Sequence, residues 1–177
     1  MRSKLLGHLR TVSRHRRLVV VHCAKAGILW QGLVHDLSKY SLTELRQGAR
    51  YFDGTHSPTE DERRENGYSL AWMHHKGRNR HHWEYWTDYS VAHGKYMAVP
   101  MPKKYLAEML CDRVAASKIY KGEAYTDDAP LAYLMGGKMR DSMHPDTLDT
   151  LIRFLSQLRD EGEEAMFASI RAWLKEE

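Results

Sequence analysis

The sequence predicts an all-α fold, a compact bundle of seven to nine helices, and three observations lead there. Apolar residues recur three and four apart, as in Leu5, Leu9 and Val12 and again in Tyr105, Leu106, Met109 and Val114, which lays a stripe along one side of a helix. Capping patterns such as Ser41-Leu42-Thr43-Glu44 precede such runs. Only 12 Gly and 5 Pro interrupt the 177 residues, and 42% apolar with 28% charged residues is the balance of a folded domain. A chain of this length buries one sizeable core. No repeat, low-complexity tract or linker divides it, so residues 1–177 read as a single domain.

The elements follow in order. Leu5 to Ile28 and the residues up to 40 read as two or three consecutive helices, bent near Gly27 and Gly32. Ser41 starts the next helix by accepting from an early backbone amide while Glu44 reaches back, and a turn at Asp53-Gly54 ends it. Ser57-Pro58-Thr59-Glu60 repeats the pattern with Pro at the first helical position, opening one helix through roughly His75. Tyr85, Thr87 and Tyr89, then Tyr96 and Ala98, alternate around His93-Gly94, which suits a short hairpin within 85–99. Pro100 and Pro102 close that segment, and a helix of about five turns follows with Asp112 in its middle. A loop with Asp127, Asp128 and Pro130 precedes a short helix that ends at Gly136-Gly137, and two helices, 145–159 and 163–175, are separated by Gly162 as by a C-cap.

Composition also narrows the class of function. The longest early apolar run, Leu18–Val21, is far below the ~20 residues of a membrane span, and no cleavable signal is evident. Two distant cysteines, Cys23 and Cys111, do not make a disulfide framework, so a reduced, cytoplasmic protein is expected, with no membrane partner. The net charge of +4 is mildly basic. Arg10, Arg14, Arg16, Arg17 and Lys25 suit either a solvated helix face or attraction to phosphate or nucleic acid.

Histidine is the unusual count, at 11 residues. His35-Asp36, a weak signal alone, gains weight from His22 on an apolar helix stretch and from Asp112 on an apolar helix face, where an unpaired carboxylate is expensive to bury. Arg113 offers Asp112 a structural ion pair; a metal is the other solution. A second cluster, His74-His75-Lys76-Gly77-Arg78-Asn79-Arg80-His81-His82-Trp83, places four imidazoles within nine residues. It reads as a lined metal pocket or as a basic aromatic loop for an anion or a base. Imidazole with carboxylate leaves the metal open among Mn, Fe, Zn, Ni, Co and Mg. His8, His15, His56, His93 and His144 read as structural or solvated.

The order His22, His35-Asp36, His75, His81-His82, Asp112 resembles the H...HD...H...HH...D pattern of HD-superfamily phosphohydrolases, and His35-Asp36-Leu37-Ser38-Lys39 is similar to the HDxxK variant of the cyclic-dinucleotide branch. More narrowly, HDLSKYS, HHKGRNRHHWEYW, MPKKY and EMLCDRVAAS resemble a small bacterial and phage family, some of whose relatives carry the label catalase. The resemblance implies an HD-like bundle holding one or two divalent ions. His22, His35, Asp36 and Asp112 would hold the first, and Asp36 would bridge to a second completed by His75 and His81 or His82. Asp36 and Lys39 would be catalytic, with Lys39, Arg78, Arg80 and Trp83 facing a small phosphorylated substrate, a nucleotide by analogy. The pattern departs from that branch in lacking a GYP tripeptide and in the short segment between His75 and His81. Some HD-fold proteins instead oxidise C–H bonds at paired iron, and a nucleic-acid or partner-binding module with a structural metal is the reading outside enzymology.

Overall fold

The structure, a computed structural model, describes residues 2–176. Among them are nine α-helices, four short 3-10 turns and one hairpin, so the all-α expectation with a hairpin holds. A long first helix, α1 (Arg2–Ala26), turns at Gly27, whose φ of +81° is open to glycine at no steric cost, into α2 (Leu29–Val34). Then come α3 (Leu42–Tyr51), α4 (Pro58–Asn66), α5 (Leu70–Lys76) and the hairpin β1 (Thr87–Ser90) and β2 (Lys95–Ala98). The strands pair antiparallel with Thr87 opposite Ala98 and Tyr89 opposite Tyr96. α6 (Lys103–Lys121), α7 (Ala129–Gly136), α8 (Pro145–Glu161) and α9 (Glu163–Trp173) complete the chain.

α6 is the axis of the core. It packs against α1, α7 and α8, and α9 closes over α1 and α8. Val19, Cys23, Leu110, Val114, Leu155 and Phe167 are all at or below 1% exposure. Both cysteines are free and buried. At the other side of α1, α2 to α5 form a smaller group in which α3 packs on α1, α4 and α5. The seam between this group and α6 is where polar side chains go inside. No helix among the described residues is long and apolar enough to cross a membrane.

Four local expectations change. Gly32 is not a bend: it lies within α2, where a Cβ would come within 2.8 Å of the Cys23 Cβ and 3.0 Å of the Val20 Cα. Close helix contact, not turning, explains it. The single helix expected over 57–75 is two, broken at Gly67 (φ +80°). Ser57 makes no cap to the backbone, whereas Ser69 caps α5 by accepting from the Trp72 amide. Ser41 does cap α3, accepting from the Glu44 amide, but the Glu44 side chain does not reach back. It turns inward.

Candidate metal centre

His35-Asp36 is not on a helix. It occupies the break between α2 and a 3-10 turn over Leu37–Tyr40, and Asp36 has φ +55°, the one non-glycine in the left-handed region among the described residues. Asp tolerates that conformation better than most residues, though at some cost. On a helix the two side chains would diverge by about 100°; the left-handed kink lets both enter the seam. Arg16 secures the kink, donating from Nε to the His35 carbonyl (2.8 Å) and from Nη2 to that of Leu33 (3.0 Å), so the end of α2 keeps partners for its carbonyls.

The other contributors come from three more segments. His75 lies in the last turn of α5, His81 and His82 in the tight turn that follows, and Asp112 in the middle of α6. Asp36 stands between two groups. Its Oδ1 is 3.2 Å from His75 Nε2 and 3.5 Å from His81 Nε2; its Oδ2 is 3.4 Å from His35 Nε2 and 3.9 Å from His15 Nε2. Asp112 Oδ1 is 3.0 Å from His15 Nε2 and 3.6 Å from His35 Nε2. Asp36, His75, His81 and His82 each offer an atom within 4.8 Å of the others, and so do His15, His35 and Asp112.

Buried carboxylates behind the rings fix which nitrogen faces the centre. Glu108 Oε1 accepts from Nδ1 of His35 (2.9 Å) and of His81 (3.0 Å). Glu44 accepts from Nδ1 of His75 (2.9 Å) and, through its other oxygen, of His74 (2.7 Å). With Nδ1–H spent on a carboxylate, Nε2 carries the lone pair, the arrangement that orients imidazole for a metal. The Nε2 atoms of His35, His81 and His82 and Oδ1 of Asp36 are buried without a hydrogen-bond partner. Buried polar atoms rarely lack partners, and four converge here. Ligand atoms ~2.1 Å from one ion lie about 3.0 to 3.4 Å apart, close to the separations around Asp36. The residues therefore fit divalent metal.

Charge tells the same story. Burial opposes ionisation of Asp36 and Asp112, yet the neighbouring imidazoles, with Lys39 beside Asp36, hold both carboxyls well below their ordinary range. Burial likewise opposes a charge on His35, but Asp36, Asp112 and Glu108 raise it well above 6.5. His75 is raised too, by Asp36 and Glu44 against burial and Lys39. His82 goes the other way: burial first, then His81 and His75, keep it neutral. The carboxylates favour positive charge at the centre, whether it comes from protons on these imidazoles or from a bound cation.

His22 is not part of the centre. Its Nδ1 is 3.2 Å from the Cys111 carbonyl and its Nε2 3.4 Å from Glu163, with Phe167 of α9 against the ring. His15 takes its place. The two share one face of α1, but seven residues move a side chain about 10 Å along the axis, and the seam lies at the level of His15. The apolar neighbours of His22 reflect packing under α9. Arg14 and Arg16 made His15 look solvated, although Arg14 points outward and Arg16 serves α2. Glu108 gave a readable signal: a carboxylate in an apolar helix face, four residues before Asp112.

Asp112 thus pairs with histidines, and Arg113 does not pair with it. A cavity of about 730 Å³ opens on the centre, with Asp36, Lys39, His15, His75 and Asp112 at its edge and Phe52, Trp72 and Tyr120 among its walls. Lys39 Nζ is 3.5 Å from Asp36 Oδ2. Trp83 lines the cavity, half-buried. Arg78 and Arg80 lie outside it: Arg78 is exposed and donates to the His74 carbonyl, and Arg80 donates to the Tyr105 hydroxyl over the Tyr85 and Tyr105 rings. The turn that aims His75, His81 and His82 inward sends these two arginines out.

No curated protein and no solved structure matches the chain. A family model does, over residues 4–157, a span that holds every residue of the centre. The chain belongs to that family, described as a family of unknown function (DUF5662).

Proposed function

We propose that the centre binds two divalent ions and that the protein is a metal-dependent phosphohydrolase. The observation that carries this reading is Asp36: one carboxylate, held between two groups of ligand atoms, with each oxygen facing a different group. His15, His35, Asp112 and Asp36 would hold one ion, and His75, His81, His82 and Asp36 the other. Bound ions would supply a coordinated water whose pKa falls from 15.7 to about 7, and a Lewis acid for a phosphoryl oxygen. Everything else falls to the chain. Glu108 and Glu44 keep three imidazoles aligned, Lys39 offsets phosphate charge beside Asp36, and the apolar walls exclude water from the reacting group. The partition matches what the HD resemblance implies once His15 replaces His22, which supports the reading. A small phosphorylated molecule of nucleotide size fits the cavity volume.

The test is turnover of aryl phosphate monoesters and diesters by protein loaded in turn with Mn, Fe, Zn and Mg, with and without oxygen. The expected result is phosphate or alcohol release that needs metal, is indifferent to oxygen, and drops at least about 10³-fold in Asp36→Asn. Asparagine suits the left-handed backbone at this position as well as aspartate does, so this variant separates ligation from folding. Turnover that requires both iron and oxygen contradicts hydrolysis and favours the oxygenase. Metal-independent binding of nucleic acid without turnover contradicts both.

A further inference from the structure

Arg113 is a charged group on the cavity wall that the centre does not explain. It follows Asp112 on α6 and leaves the helix about 100° away, and both side chains line the same cavity. Its Nε is buried with no hydrogen-bond partner. Asp112 brings no relief, being turned to His15 and His35. On the same wall Glu84 keeps a buried Oε2 that is also without a partner. A guanidinium is a planar fork of five donors that keeps its charge at physiological pH and matches the two oxygens of an oxyanion. Arg113 is half-buried, and shutting its Nε away from water without a partner is costly. A wall built this way is complemented by something that arrives with the ligand.

We propose that Arg113 is an oxyanion-binding point of this cavity, distinct from Lys39, and that the ligand carries a second anionic group which Arg113 grips. The proposal rests on the cavity being the substrate pocket of the proposed hydrolase, and it narrows that substrate. One anionic group belongs beside Lys39 and Asp36, and a second, phosphate or carboxylate, at Arg113. Between them lies a body that packs on the apolar walls, among them Tyr133 and Met139, which line the cavity with Arg113. Glu84 is placed to accept from a hydroxyl or amine on that body.

The test uses chelator-treated, metal-free full chain, with phenyl phosphate and benzoate as probes and binding followed by calorimetry and NMR. At least one probe binds the wild type and weakens with salt. Arg113→Gln loses about tenfold or more in affinity, the value of a charge-assisted hydrogen bond, and Arg113→Lys recovers part of it. The stronger of the two probes names the oxyanion. Because Arg113→Gln removes a buried donor that has no partner, its Tm stays equal to the wild type's or rises. Equal affinity of Arg113→Gln and wild type for both probes, or failure of both to bind the wild type, overturns the proposal. So does a matching fall in Tm in Arg113→Gln and Glu84→Gln, the signature of a structural ion pair. Metal uptake is measured separately, so its failure removes the hydrolase reading and leaves the Arg113 result to stand on its own.

Discussion

Single side chains at this centre work by what stands behind them. His35 and His81 share one acceptor, Glu108, and His75 shares Glu44 with His74, so two buried carboxylates set the direction of four rings. His8 illustrates a buried imidazole with a different fate. Its ring sits over Gly48 and beside Phe52, and burial, helped by Lys39 and opposed by Glu44, lowers its pKa from 6.5 to about 4. Between those values the unfolded chain binds the proton and the folded one does not, so stability rises with pH. The contribution is complete above pH 6.5 and lost as pH falls to about 4. At about 1.4 kcal/mol per unit, the wild type loses about 2 kcal/mol more than His8→Gln between pH 7 and pH 5, measurable by urea unfolding of both proteins. Of the site residues, the rare types were legible: His35, Asp36, His75, His81, His82 and Asp112 stand out as imidazoles in a cluster or acids in apolar surroundings. His15 did not, because its immediate neighbours are arginines and its burial comes from residues 20 to 97 positions away.

Helices reach the seam through contacts that close over a distance. α5 is only seven residues long and carries His75 in its last turn, too short to persist by itself. Its first turn is held by Glu62 of α4, 1% exposed, which accepts from the Ser69 hydroxyl and from the amides of Leu70 and Ala71. Replacing Glu62 by Ala leaves those donors unpaired and costs about 2 to 3 kcal/mol; Ser69→Ala, which removes one cap, costs about 1. Chemical denaturation ranks the two, and equal effects would mean that Glu62 does not organise α5. The same contacts explain what the sequence concealed. Ser41, Pro145 and Gly162 mark helix ends by local chemistry and are readable. The break at Gly67-Tyr68-Ser69 is held by a carboxylate seven residues back, and the kink at Asp36 by Arg16 twenty residues back, so periodicity alone runs one helix through 57–75 and puts His35-Asp36 on another.

Across the molecule, the centre ties α1, the break after α2, α5 with its following turn, and α6 into one node. The packed core of α1, α6, α8 and α9 stands without it, whereas the group α2 to α5 meets α6 chiefly through these side chains. Metal that binds the folded chain alone stabilises it by about 2.7 kcal/mol at a hundredfold excess over Kd, so chelation lowers the Tm by roughly 5–10 °C. Uptake would also be linked to protons: ions binding there would compete with protons on His35 and His75, whose pKa values are raised above 6.5, so affinity falls about tenfold per pH unit for each proton displaced once the pH drops below those raised values. The most direct measurement is the metal content of saturated, desalted protein at pH 7.5 for the wild type, His15→Ala and His22→Gln. Two equivalents in the wild type, a clear loss in His15→Ala and full content in His22→Gln are predicted; a wild type that retains no metal, or a loss confined to His22→Gln, contradicts the centre described.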